Sequence, residues 1–155
     1  MIEQKAINVI ITEGLKEITG CEIVKANLAG APIPPYPYIS FTILNSDTRK
    51  GTYSVDTFGR YIPVKQNWSF TVQGKDDDEA FRIALLAKDW LEESGHRQLC
   101  DHDIIVESVG AITNRDTLLT IDYEYRKGFD VVLSLMNMIG DQEKETIDNI
   151  EIKKE

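Results

Sequence analysis

The residues best suited to do chemistry are a cysteine and a histidine two positions apart, Cys100 and His102. Such a pair could be a nucleophile with its general base, or two ligands of a zinc ion. A structural zinc site needs four ligands, and no ladder of further Cys and His ligands surrounds this pair. We interpret the segment as a polar turn after a helix. An enzyme that uses Cys100 and His102 is the minor alternative.

A run of carboxylates, Asp76, Asp77, Asp78 and Glu79, is the second candidate for chemistry, because clustered carboxylates can hold a cation. The run lacks the alternating acidic residues, central glycine and terminal glutamate of a calcium loop. Helix formers follow it, so the carboxylates are placed to cap the amides of a helix N-terminus. No nucleotide-binding, hydrolase or metalloprotease motif occurs. We therefore predict a protein without enzymatic activity, metal or other cofactor.

Composition predicts one folded domain over residues 1–139. Of the 155 residues, 42% are hydrophobic and 28% are charged, a composition that is ordinary for a globular domain. A chain of this length can bury its own hydrophobic core. No apolar run approaches the ~20 residues of a membrane span, and the polar N-terminus predicts synthesis in the cytoplasm. Two distant cysteines predict reduced thiols. A net charge of −9 opposes tight or sequence-specific binding of nucleic acid, although it suits a surface past which DNA must move.

The elements that would position any site follow from apolar periodicity and from glycine and proline signals. We predict helices over 2–19 and 76–93, which end at Gly20 and Gly95, and strands over 21–26, 38–45, 62–73 and 104–112. The β-rich run 118–139 is one strand or two, because Gly128 could place a bulge or turn. Without repeated βαβ units, this order predicts an α+β fold. Its mainly antiparallel sheet of four to five strands would carry two helices on one face.

Residues 46–61 are predicted to form a long hairpin connection that serves as an assembly surface. The segment has three basic and two acidic side chains in an otherwise acidic chain. Arginine and aromatic residues are enriched at protein interfaces, because they bury a large area and still make polar contacts. The interface candidates here are Arg49, Lys50, Tyr53, Phe58 and Arg60. The alternative is a hairpin tip with scattered aromatic residues.

Two further pairs of charged residues are interface candidates, Arg115 with Asp116 and Arg126 with Asp130. The second pair flanks Gly128. Salt bridges between these residues could form within one subunit or between subunits, and both alternatives stay open. The final segment, 140–155, has six acidic and three basic side chains with three isoleucines. It is either a solvated acidic tail or an arm that orders against a neighbouring subunit.

Three stretches together carry a resemblance: PYPYISFTI at 35–43, WSFTVQG at 68–74 leading into DEA at 78–80, and YEYRKGFDV at 123–131. In order and spacing they resemble the neck or tail terminator proteins of contractile-tailed bacteriophages and prophages, over residues 2–135. The resemblance implies a virion protein that forms a hexameric ring and stops growth of the tail tube. Its partners would be the tail tube protein and the head-completion or neck proteins.

The resemblance implies no catalytic residue, because the family has none to transfer. A head–tail joining ring needs contact surfaces and a lumen that does not grip DNA, which agrees with the missing motifs and the acidic balance. The alternative to this virion role is a small cytoplasmic α+β domain that binds a ligand or acts as an adaptor, with a concave apolar pocket.

Overall fold

A long, mostly antiparallel sheet organises the part of the chain that the computed structural model describes, which is residues 2–27, 31–49, 54–56, 59–118 and 123–139. The strands are β1 Glu22–Lys25, β2 Tyr38–Arg49, β3 Ser54–Asp56, β4 Gly59–Gly74, β5 Ile104–Val109, β6 Thr113–Asn114, β7 Thr117–Leu118 and β8 Tyr123–Ile139. The helices are α1 Gln4–Thr19, α2 Asp77–Asp89 and α3 His96–Cys100, with a π-helical turn at Trp90–Ser94 between α2 and α3.

The main path across the sheet is β1-β2-β4-β8-β5, and β3, β6 and β7 are short additions to β4 or β8. Among the strands that the structure describes, only β1 pairs in parallel, with β2. The α+β class and the mainly antiparallel sheet are confirmed. The number of strands exceeds the predicted four to five, because the three short segments could not be distinguished from turns in the sequence.

The central pair, β4 and β8, runs in one register from Gly74 opposite Tyr125 to Arg60 opposite Ile139. Fifteen paired residues at ~3.3 Å each make a ribbon of about 50 Å. The ladder passes Gly128 without a bulge, so residues 123–139 form one strand. We call the Tyr125 end of this ribbon the proximal end and the Ile139 end the distal end.

The core lies between the helices and one face of the sheet. In β4 every second side chain is buried, as predicted for Val64, Trp68, Phe70 and Val72, and the residues between them are partly exposed. Phe41, Phe70 and Phe129 are neighbours across three strands on this face, where they join residues of all three helices in one apolar cluster. The other face, which we call the open face, carries no helix among the described residues.

The predicted helix ends are confirmed at two places. Gly20 has φ 72°, a left-handed conformation that glycine adopts without strain, and its N–H donates to the carbonyl of Lys16. Asp76 accepts a hydrogen bond of 3.0 Å from the amide of Glu79, so the carboxylate run does cap α2. In the described residues, no helix is both long enough and apolar enough to pass through a membrane.

The end of the second helix differs from the prediction. The helix changes to the π-helical turn at Trp90 and then continues, after Gly95, as α3. Gly95 does not stop the chain; it makes room for the Trp90 indole, because a Cβ there would lie 2.3 Å from the ring. Gly14 of α1 also leaves space for this ring, because a Cβ at Gly14 would lie 2.2 Å from it. The tight packing of Trp90 explains the irregular turn.

Residues 46–61 are not one long connection, so that prediction was wrong. β2 continues to Arg49 with two irregularities in register, β3 covers Ser54–Asp56, and β4 begins at Gly59. β2 and β4 extend into this segment because backbone hydrogen bonding between strands does not require alternating apolar residues. The mixed sequence therefore gave no indication of these strands. Similarly, the strand predicted over 104–112 ends at Val109, and the polar turn after it contains β6 and β7.

Candidate interaction site

The sulfur and imidazole groups singled out in the sequence do not form a metal cluster. The Sγ of Cys100 lies 3.6 Å from the Nε2 of His96, and His102 is exposed in the turn that follows α3. Within the described ranges, no three Cys, His, Asp or Glu side chains are grouped so that they could hold a metal ion. Cys21 is a buried free thiol, and its burial raises its pKa.

Polar side chains at the proximal end of the sheet instead form a connected cluster of hydrogen bonds among the described residues. Arg115 lies across the open face of β8 and β4. Its Nη1 donates to the hydroxyls of Ser69 and Thr71, each at 2.9 Å, and its Nη2 donates to Asp130 at 3.2 Å. Gly128 makes this possible, because a Cβ there would lie 2.5 Å from the Nη1 of Arg115.

Asp116, the next residue, forms the centre of a second group. Its Oδ1 accepts hydrogen bonds from the Nζ of Lys127 at 2.9 Å and the amide of Arg126 at 2.8 Å. Its Oδ2 accepts from the hydroxyl of Tyr123 at 3.2 Å. Lys127 also pairs with Asp77 at 2.7 Å, so the group joins β8 to the first turn of α2.

These contacts shift the pKa values of Asp116 and Lys127. Burial alone would raise the pKa of Asp116, but the hydrogen bonds from Lys127 and from the Arg126 amide hold it below its ordinary value. Burial would likewise lower the pKa of Lys127, and its bonds to Asp77 and Asp116 raise it. The charged forms of both residues are therefore favoured.

Glu124 is a buried carboxylate in β8 and connects this cluster to the proline-rich segment. It accepts hydrogen bonds from the hydroxyl of Tyr36 and from the Nε of Arg126. The bond to Glu124 raises the pKa of Tyr36 to about 12, so the phenol stays protonated and keeps donating. Tyr36 in turn packs on Tyr38, with ring centroids 5.6 Å apart. The segment is thus held over the open face.

A cavity of about 450 Å³ lies beside the cluster, between the proline-rich segment and the strands β1, β2 and β4. Its apolar lining comes mainly from residues 31–34 and β1, and its hydroxyls from Tyr38, Ser40 and Thr71. Three cations, Lys25, Arg115 and Arg126, also line it. We call it the proximal cavity. It combines an apolar wall with positive charge, which suits a ligand that is both apolar and acidic.

Comparison with known proteins identifies the family. A family model described as phage neck terminator protein matches residues 9–155. The chain belongs to this family. A search of curated proteins gave no match. Family membership gives this neck terminator a structural role in the phage virion, in contact with other virion proteins. The match also includes residues 140–155, which lie beyond the region of resemblance found in the sequence.

Four of the nine interface candidates of this neck terminator lie together at the proximal end. Arg115 pairs with Asp130, Asp116 pairs with Lys127, and Arg126 pairs with Glu124, all within the subunit. Arg49 and Arg60 occupy strand positions at the distal end, and their side chains lie outside the described residues, as do Lys50, Tyr53 and Phe58 entirely. The use of these nine residues as an interface stays a prediction.

The cluster also contains four residues that were not predicted from the sequence: Tyr36, Asp77, Glu124 and Lys127. Two of them could have been found from the sequence, because Glu124 and Lys127 are charged residues inside the longest β-rich run. A charged residue in such a run is a candidate for a buried pair. Their partners could not be named, because the sequence does not show which strands are neighbours.

We expect Asp116→Asn to destabilise this neck terminator at pH 7 by about 1–2 kcal/mol, because charge-assisted hydrogen bonds to Lys127 and Arg126 would be weakened. The folded-state pKa of Asp116 lies below its ordinary value of 3.8. Its stabilisation is therefore present above pH 3.8 and is lost as the pH falls through the lower folded pKa. Urea denaturation from pH 7 to pH 3 should show the difference between variant and parent shrinking with acidification.

Asp130→Asn is the matched control, because that carboxylate side chain is 58% exposed and its single ion pair should contribute little. An Asp116→Asn variant that differs from the parent no more than this control at pH 7 would contradict the role assigned to Asp116.

Proposed function

We propose that this family member caps the tail tube and forms the head–tail joining ring by self-association, as a hexamer. The match of residues 9–155 to the neck terminator family carries the proposal. The proposed partners are further copies of the chain, the tail tube protein and the head-completion or neck proteins. The acidic chain also fits a ring through which DNA passes without being held, because its net charge of −9 repels phosphates.

A closed ring needs two different surfaces on each subunit, because each contact joins one surface to another of different shape. Two exposed apolar surfaces lie on opposite sides of the sheet. Phe81 and Leu85 are one turn apart on α2 and are 46% and 38% exposed. Ile105 of β5 and Met136 of β8 are 48% and 50% exposed, and they line a cavity of about 290 Å³ on the open face.

These two surfaces support self-association because one presents projecting apolar side chains and the other an apolar recess. Large apolar side chains on one subunit gain most when they enter an apolar recess on the next. A contact of α2 with the β5–β8 recess would remove Phe81 and Leu85 from water together with Ile105 and Met136. It would also place every subunit in the same relation to its neighbour, as a ring requires.

The distal end is the proposed contact for the tail tube. β2 and β4 bring the backbone of Arg49 and Arg60 to that end. Both residues belong to the segment 46–61, whose sequence is locally cationic and aromatic. The four proximal candidates have partners within the subunit. Of these, Asp130 is the most exposed and is the best placed to contact a neighbour.

We expect Phe81→Asp to abolish ring formation while leaving the fold intact, because a carboxylate would have to be desolvated in an apolar contact. Native mass measurement should give a hexamer for the parent and a monomer for the variant, and electron microscopy with tail tubes should show uncapped ends. Phe81→Leu is the matched control and should still assemble, because it keeps an apolar side chain. If Phe81→Asp still forms rings and caps tubes, α2 is not part of the ring contact.

A further inference from the structure

We propose that the proximal cavity binds the acidic C-terminal segment 140–155 of a neighbouring copy of this chain. The inference rests on the proposed self-association and names the contact that would fasten one subunit to the next. The segment lies outside the described residues and follows directly on β8.

Charge complementarity supports this occupant. Lys25, Arg115 and Arg126 line the cavity, whereas the segment carries six acidic side chains against three basic ones. The Nε of Arg126 and the Nη2 of Arg115 already donate to carboxylates within the subunit. Lys25 is exposed and has no ion pair among the described residues, so it is the cation most available to a new carboxylate.

The apolar wall supports the same occupant. Ile33 is 72% exposed although it lines the cavity, and Pro32, Pro34 and Val24 lie beside it. The acidic segment has three isoleucines, at 147, 150 and 152. In an extended chain Ile150 and Ile152 project to one side and Glu151 to the other. A strand between the two walls would therefore present isoleucines to residues 31–34 and a carboxylate to the cations.

The reach of the chain favours a neighbouring copy over the same subunit. β8 ends at Ile139, and Arg126 in the cavity lies thirteen residues back along the same strand, about 43 Å away at ~3.3 Å per residue. A fully extended chain spans at most ~3.6 Å per residue, so Ile147 reaches about 29 Å and Ile150 about 40 Å from Ile139. The nearest part of the lining on this path, Thr71, lies opposite Gly128, about 36 Å from Ile139. Ile147 cannot enter the cavity of its own subunit, and Ile150 and Ile152 could do so only in a fully stretched chain that runs back along its own sheet. The cavity of a neighbouring copy sets no such limit.

Disulfide trapping between two full-length chains tests the inference. Both chains carry Cys100→Ser, which leaves only the buried Cys21 as a native thiol. One chain carries Ile33→Cys, and the other carries Ile150→Cys with a tag of different size. Mild oxidation of the mixture should give the mixed disulfide between the two chains. Val9→Cys in place of Ile33→Cys is the control, since Val9 is also exposed but belongs to α1 on the helical face.

We expect at least tenfold more mixed disulfide with Ile33→Cys than with Val9→Cys. Lys25→Glu in the cavity chain should lower the yield about fivefold at low salt, and Glu151→Lys in the other chain should restore it. A yield no higher than the Val9→Cys control would overturn the inference. So would a disulfide that forms only when both cysteines are in one chain.

The outcome can be separated from that of the proposed function by measuring the oligomer in the same samples. Rings that form and cap tail tubes without the Ile33–Ile150 disulfide would leave the proposed function standing and overturn only the docking of the segment. A mixed disulfide in a protein that never forms rings or caps tubes would support the docking and contradict the ring proposal.

Discussion

Replacing Phe70 with alanine is expected to lower the free energy of unfolding by about 3–5 kcal/mol, a large part of the stability of a domain this size. Phe70 is 1% exposed and lies at the centre of the aromatic row in the core. Its ring centroid is 5.7 Å from that of Phe129, 5.9 Å from that of Trp68 and 6.3 Å from that of Phe41. These neighbours belong to three strands, so the cavity left by the substitution cannot close easily. Urea denaturation at pH 7 measures the loss.

Phe81→Ala is the matched control, because the residue type and the substitution are the same but the side chain is 46% exposed on α2. Alanine is also the better helix former, so the loss should be less than about 1 kcal/mol when the protein is measured as a monomer. Equal losses at Phe70 and Phe81 would show that the row of buried side chains on β4 does not carry the core as described.

The face of β4 could be predicted from the sequence because its pattern is local. Val64, Trp68, Phe70 and Val72 alternate with polar residues, and one buried sheet face produces this period of two. The roles of Gly20 and Asp76 at helix ends could also be predicted, since a helix end leaves unpaired backbone groups that particular residue types satisfy. The strand positions of 46–49 and 59–61 could not be predicted, because their mixed sequence shows no alternation of apolar and polar residues.

The α2–α3 region shows a different limit. Gly95 was interpreted as a helix stop from its type alone, but its role depends on the Trp90 ring, which also contacts Gly14 on α1. A glycine that makes space for a distant side chain looks the same in sequence as one that ends a helix. The π-helical turn is therefore a consequence of packing between elements and has no local signal.

The candidate site shows how far sequence reasoning goes for polar residues. Arg115, Asp116, Arg126 and Asp130 were selected because they are charged and close to a turn, and they do lie together. Their partners were not predictable, because they depend on the register of β4 against β8. Ser69 and Thr71, for example, precede Arg115 by 46 and 44 residues. Buried charge at Glu124 likewise depends on Tyr36, which is 88 residues away in sequence.

Gly128→Ala is expected to destabilise the protein by about 2–3 kcal/mol, although the sequence presented this glycine as a site for a bulge or turn. The new Cβ would lie 2.5 Å from the Nη1 of Arg115 and 2.7 Å from the carbonyl oxygen of Phe70. The arginine would have to leave Ser69 and Thr71, and the backbone of β4 would have to shift. Where there is space for the Cβ, Gly→Ala stabilises a protein by about 0.4–1 kcal/mol. A loss of stability would therefore show that Gly128 has no such space.

The control for this substitution is Gly74→Ala, which lies in β4 at the same proximal end, opposite Tyr125. A Cβ there would meet the Cβ of Ala80 at 3.5 Å and the carbonyl of Asp76 at 3.6 Å, which are ordinary contacts. It should be neutral or slightly stabilising. Combining Gly128→Ala with Arg115→Ala should leave most of the loss, because the contact with the Phe70 carbonyl persists. If thermal and urea melts show Gly128→Ala to be as stable as Gly74→Ala, then the backbones of β4 and β8 do not approach each other at Gly128 as closely as described.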